Sequence, residues 1–253
     1  MPAIILWWTA IFLEGLVLFR GARARLLSRY PGFYSYLASV LFVEFSRLLA
    51  YRQFPGIYAH VYWDTQFLSL VVGCVVIFEV YRTGLKAFPG TARIARNLLA
   101  FVFAITFAKA ILTSADGTSW WAALTAVKLE RDLRLVQAGA LLALLVAFAI
   151  YKIPLGKNLK GILLGYGLFV SMSVVQLTVM VHSGAVFQGI WRNLRPIGYL
   201  AVLCLWAVTL WSYQEAPKPA HAITLDDDYN MLVASTRRKF QRTRLALGKV
   251  VRP

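Results

Sequence analysis

Acidic residues are scarce in this chain: 11 Asp and Glu stand against 27 Lys and Arg in 253 residues, and the four charged types together make up only 15%. Soluble chains of this length carry more, about 25% charged. With 59% hydrophobic residues and a mean hydropathy of +0.63, the composition excludes a water-soluble globular fold. There are two cysteines and three histidines, so no disulfide framework is implied, and Cys74 and Cys204 read as small buried hydrophobes. His60 and His182 fall at the same surface in the topology below, which keeps a two-histidine haem or metal site among the alternatives. Neither an i,i+4 histidine pair nor a Cys-x-x-Cys supports it. Also lacking are the roughly 10-residue alternating segments of a membrane barrel. No Ser-His-Asp, paired-carboxylate or metal-ligand spacing marks a catalytic centre.

What the sequence does contain is seven apolar segments, each near the about 20 residues that a helix needs to cross a ~30 Å hydrocarbon core. They cover residues 3–20, 32–51, 58–82, 95–114, 133–152, 160–183 and 194–213. The expected fold is all-α: a seven-helix transmembrane bundle over 1–213 with antiparallel neighbours, followed by a basic tail over 214–253.

A net charge of +16 would suggest nucleic acid in a soluble protein, but its placement has another reading. Nineteen basic residues lie in the tail and in the first, third and fifth connections, including Arg20, Arg23, Arg25, Arg29, Arg82, Lys86, Arg93, Arg96, Lys152, Lys157 and Lys160. Only seven lie on the other side: Arg47, Arg52, Lys128, Arg131, Arg134, Arg192 and Arg195. Basic connections stay cytoplasmic, so the N-terminus is expected outside and the C-terminus inside, with no nucleic-acid partner. Span one reads as an uncleaved anchor, because no basic residue precedes it, Glu14 interrupts it, and cleavage would leave the arginine-rich connection outside.

The third span carries Asp64, Thr65 and Gln66 near its outer end and Glu79 near its inner end. Charged side chains within a membrane face the bundle interior, a partner or water. At 1.5 Å per residue, Glu44, Arg47, Asp64 and Lys109 all fall about 8–13 Å from the outer surface. Two acids and two bases at one depth allow two readings. They form ion pairs, with Asp64 meeting Arg47 or Lys109 and Glu44 taking the other, or they line an outward, water-filled pocket for a polar ligand. Gln66, Gln176, His182, Arg192 and Arg195 complete the candidate pocket, Thr178 and His182 sharing a helix face.

Residues 114–132 form the longest outer connection. It is either a short amphipathic helix lying on the membrane through Trp120, Trp121 and Leu124, or the solvated first turns of span five. Gly161, Gly165 and Gly167 imply close approach of span six to a neighbour, and Pro196 reads as a first-turn proline of span seven. In the tail, Thr224 and three aspartates precede an apolar stripe with Arg237, Arg238, Lys239, Arg242 and Arg244, a pattern that matches a helix dipole. Such a basic amphipathic helix binds anionic lipid at the bilayer surface, or docks a cytoplasmic signalling partner.

The order of seven spans resembles that of microbial rhodopsins, but Ile197–Tyr213 lacks their retinal-bearing lysine. Seven-span sugar transporters repeat spans one to three in five to seven and carry a Pro-Gln motif. Here only Arg29 with Pro31 and Lys152 with Pro154 correspond. A general likeness to bacterial seven-span proteins implies the cytoplasmic membrane and no particular activity. The reading is a sensor or accessory protein with an outward polar pocket. The alternatives are a small-solute transporter, which wants polar groups near the midplane, and a membrane-embedded enzyme or haem- or metal-binding protein. No catalytic residue, metal ligand or cofactor is assigned.

Overall fold

The computed structural model describes residues 2–86, 88–114, 119–150, 153, 155–182, 185–215 and 230–238. Among these residues every regular element is helical. In chain order they are α1 (Pro2–Arg23), α2 (Pro31–Gln53), a single 3-10 turn at Pro55–Ile57, α3 (Tyr58–Gly84), α4 (Pro89–Ser114), α5 (Ser119–Ile150), α6 (Lys157–His182) and α7 (Ala185–Thr209). Residues 230–238 of the tail are also helical. Helices α1 to α6 are long and apolar enough to cross a membrane, whereas the apolar part of α7, Leu194–Thr209, is shorter. The architecture is that of a multi-pass helical membrane protein.

Local chemistry explains the breaks. Prolines open α2, the 3-10 turn and α4, where a missing N–H is no loss because the first turn has no intrahelical acceptor for it. Just past the end of helix α1, Arg25 stands at φ 54, a left-handed residue, and Leu26 N–H bonds back to Gly21 O at 2.8 Å. This is a Schellman-type stop with the apolar residue that follows it, Leu26, fully buried. Two boundaries differ from the sequence expectation. Helix α5 runs unbroken from Ser119, so 119–132 belongs to its first turns rather than to a separate lid. Helix α7 begins at Ala185, which places Pro196 inside the helix, where its ring leaves the carbonyl one turn earlier without an amide donor.

The helices close a ring in which α1 lies between α2 and α7, α6 joins α7 to α5, and α3 packs on α2, α5 and α6. Helix α4 stands at the edge against α3 and α5. Between helices in a lipid solvent, burial of apolar surface supplies little drive, so close packing must hold the bundle. Glycine provides it between α6 and α7: a Cβ at Gly161 would run into Thr209, and one at Gly165 into the Trp206 indole. Trp206 in turn meets Phe33 edge to face at 4.9 Å. The bundle therefore has one end with the α2–α3 turn and an opposite end with the α1–α2 connection.

Candidate functional site

At the α2–α3 end, Arg47 of α2 lies half-buried against α3. Its Nε donates to Thr65 Oγ1 at 2.9 Å, and its Nη2 donates to Gln66 Oε1 at 2.9 Å and to the Tyr62 carbonyl at 3.3 Å. The guanidinium also covers the Tyr62 ring at 4.4 Å. Neutral oxygens, not a carboxylate, hold this cation. Glu44, one turn away, accepts from Trp7 Nε1 at 2.8 Å. Lys109 is 67% exposed and reaches Asp132 at 3.1 Å. The expected pairing of Asp64 with Arg47 or Lys109 is therefore not formed. Asp64 is exposed, makes no ion pair among the described residues, and shares a helix face with the exposed Leu68, Val71 and Val75. Beside it, ring contacts link Tyr51, Tyr58, Tyr62 and Trp63, a cluster of the type that sits at headgroup level. Gln176 is half-buried, while Arg195 and His60 are exposed. The side chains of His182 and Arg192 lie outside the described residues.

Deeper in the bundle is a cluster that the sequence reading left unassembled. Arg134 and Gln137 of α5 are 3% and 0% exposed, although Arg134 was counted above among the outer basic residues. Arg134 Nη1 donates to Gln137 Oε1 at 3.3 Å, and the Tyr166 hydroxyl of α6 donates to the same oxygen at 3.5 Å. Gln137 Nε2 points at Cys74 Sγ of α3, 3.6 Å away. Space for this comes from Gly73, where a Cβ would strike the Tyr166 hydroxyl. All of these contacts are long. Arg134 Nε has no hydrogen-bond partner, and the nearest carboxylate oxygen, Glu130 Oε1, stands 4.0 Å from it. Donors outnumber acceptors in a place where an unmet donor costs free energy.

The Arg134 guanidinium lies 5.1 Å from the Phe169 ring, and from there aromatic rings cross the bundle. Phe169 contacts Tyr36, Tyr166 and Tyr199, with centroids 6.3, 6.1 and 5.8 Å away. On the far side the Tyr199 hydroxyl donates to Glu14 Oε1 at 2.6 Å. Glu14 is 1% exposed, its other oxygen has no partner, and Glu44 is within electrostatic reach. A buried guanidinium and a buried carboxyl group in one membrane core would ordinarily pair. Here the aromatic wall stands between them.

At the α1–α2 end two polar residues fasten helix termini. Glu79 of α3 accepts from the Gly32 and Phe33 amides at 2.9 and 2.7 Å, so a carboxylate from one helix caps the start of another. Buried Asn158 donates to the Thr209 and Ser212 carbonyls at 2.9 and 2.8 Å and accepts from Gln214 N–H at 2.8 Å, tying α6 to the chain that leaves α7. Arg20 stacks on Trp211 at 3.8 Å and Arg29 on Tyr213 at 4.7 Å. Burial, with Tyr213 and Glu79 nearby and Arg29 opposing, pushes the Tyr30 hydroxyl up to about 12.

No family model, curated protein or solved structure matches the chain. Among the described residues no group of three or more His, Cys, Asp or Glu side chains is placed to hold a metal ion. The missed residues left one signal in the sequence: Arg134 is followed by Gln137 at i+3, two polar side chains on one face of an otherwise apolar span.

Proposed function

We propose that the chain is a seven-span membrane sensor, with its N-terminus outside and its tail in the cytoplasm, whose interior polar cluster responds to a small solute arriving from outside. In this reading α7 supplies the seventh crossing, and the excess of basic residues in alternate connections sets the sidedness. The observation that carries it is the arrangement of two buried ionisable groups, Arg134 and Glu14, on opposite sides of an aromatic wall that includes Tyr199 of α7. A change at Arg134 then has a packed route to the helix that leads to the tail. In this reading Glu44, Arg47 and Gln66 form the entrance, Gln176, His182, Arg192 and Arg195 are further candidates for it, and Asp64 and Lys109 stay outside it on the exposed surface. The tail residues Arg237, Arg238, Lys239, Arg242 and Arg244 meet anionic lipid or a cytoplasmic signalling partner in a bacterial inner membrane.

The coupling is testable without knowing the solute. In a Cys204→Ala background, a fluorophore on Ser235→Cys is compared in proteoliposomes between the otherwise native protein, Arg134→Met and Glu14→Gln. Altered emission or mobility of the tail probe in both variants is expected, and identical spectra from all three would break the link between core and tail.

A second reading, a small-solute transporter, is favoured by the depth of Glu14, which lies 12 residues from one end of α1 and 9 from the other. Polar groups near the midplane are what a transport site needs. Solute uptake into proteoliposomes that Glu14→Gln abolishes would replace the sensor with the transporter.

A further inference from the structure

Resting on the reading of the interior cluster as a solute site, we infer the class of solute: a small organic monocarboxylate held on the Nε edge of Arg134 in competition with Glu130. A guanidinium offers five N–H donors in a planar fork. Its Nη1 is engaged by Gln137, and the Phe169 ring packs on the guanidinium. Nε itself is left without a hydrogen bond, and a guanidinium N–H in that position suits a charge-assisted bond from a carboxylate oxygen.

Glu130 lies one turn before Arg134 on α5 and is 15% exposed, and its oxygen stops 4.0 Å from Nε. That is close enough to offset the charge and too far to hydrogen-bond. Glu130 therefore behaves as a loose stand-in that a better-fitting carboxylate displaces toward the surface. Two more donors one turn further along, Gln137 Nε2 and the Tyr166 hydroxyl, meet only weak partners at 3.6 and 3.5 Å on the Cys74 side of the cluster. The apolar neighbours are the Phe169 ring, which lies against the guanidinium, and the Tyr36 and Tyr166 rings packed with it, surroundings that suit a short apolar or aromatic body behind the charged group. Arg134 is the one cation with a buried side chain among the described residues, so a monoanion balances it and a phosphate dianion does not.

The test is thermal unfolding of the purified full chain in detergent at constant ionic strength, with butyrate, benzoate or inorganic phosphate added. Butyrate or benzoate is expected to raise the unfolding temperature of the native protein, to raise it further at lower concentration in Glu130→Gln, and to lose the effect in Arg134→Met. Should Arg134→Met fail to fold, Arg134→Lys keeps the charge but not the fork and is expected to weaken the shift strongly. The inference is overturned if neither carboxylate shifts native protein or Glu130→Gln, if Arg134→Met or Arg134→Lys responds as fully as the native chain, or if only phosphate acts. Carboxylate binding with no response of the Ser235→Cys tail probe would leave this inference standing and remove the sensor. A tail that responds to Arg134→Met in a protein that binds no carboxylate would do the reverse.

Discussion

A guanidinium withdrawn from water costs several kcal/mol unless its donors are met, and Arg134 recovers only part of that through one amide oxygen, one ring and a carboxylate at 4.0 Å. Glu79 is the opposite case, since two backbone amides close on its oxygens. The difference separates a residue that fastens the bundle from one that is available to a ligand. Asp64 belongs to neither class. Exposed beside interfacial aromatics, it contributes little to folding, and Asp64→Asn is expected to change stability in detergent by less than about 1 kcal/mol. A loss of ~3–5 kcal/mol, the cost of stranding a buried partner, would return Asp64 to the interior. Which residues of a span are polar was legible in the sequence, whereas rotation about the helix axis was not. Lipid and protein core are both apolar, so no polar face marks which side of α3 looks outward; Asp64, expected to meet a cation within the bundle, is exposed, and the burial of Arg134 was not anticipated.

Among the elements, the contact between α6 and α7 depends on close approach. The glycines that the sequence suggested for this role are those the structure uses at Gly161 and Gly165, while a Cβ at Gly167 would make only an ordinary contact with Leu141 at 3.9 Å. Gly165→Ala places a methyl group against Trp206 and is expected to cost about 1–3 kcal/mol, seen as a lower unfolding temperature in detergent. An unchanged temperature would mean that α6 and α7 are free to move apart. Helix ends read less well than helix centres. The first turns of α5 and α7 carry polar residues, so hydropathy ended those spans early, while backbone hydrogen bonding extends both helices well past the apolar stretch. In the tail, residues 230–238 are helical with Met231, Leu232 and Val233 exposed, whereas Leu225, Tyr229 and Phe240 of the expected stripe lie outside the described residues. A peptide of residues 225–247 is expected to gain helicity on anionic vesicles and to lose binding in high salt, each basic residue contributing about 1 kcal/mol. Equal binding to neutral vesicles would remove the electrostatic part.

For the molecule as a whole, the all-helical, multi-pass architecture followed from composition and run length alone, because the bilayer dictates both. The interior cluster did not. It draws side chains from α1, α2, α3, α5, α6 and α7, and no pattern within one span reports which residues of distant spans will meet. The account joins that cluster to a direction across the membrane, solute entering at the α2–α3 end and the tail responding on the other side. Sidedness is therefore the property on which the rest depends. Cysteines introduced one at a time at Ile4, Gln53, Ser28 and Ser235, each in a Cys204→Ala background that keeps only the buried Cys74, can be exposed to an impermeant thiol reagent in intact and in permeabilised cells. The account predicts that Ile4→Cys and Gln53→Cys label in intact cells, and that Ser28→Cys and Ser235→Cys label only after permeabilisation. Labelling of Ser235→Cys in intact cells, or of Ile4→Cys and Ser235→Cys on the same side, would contradict it.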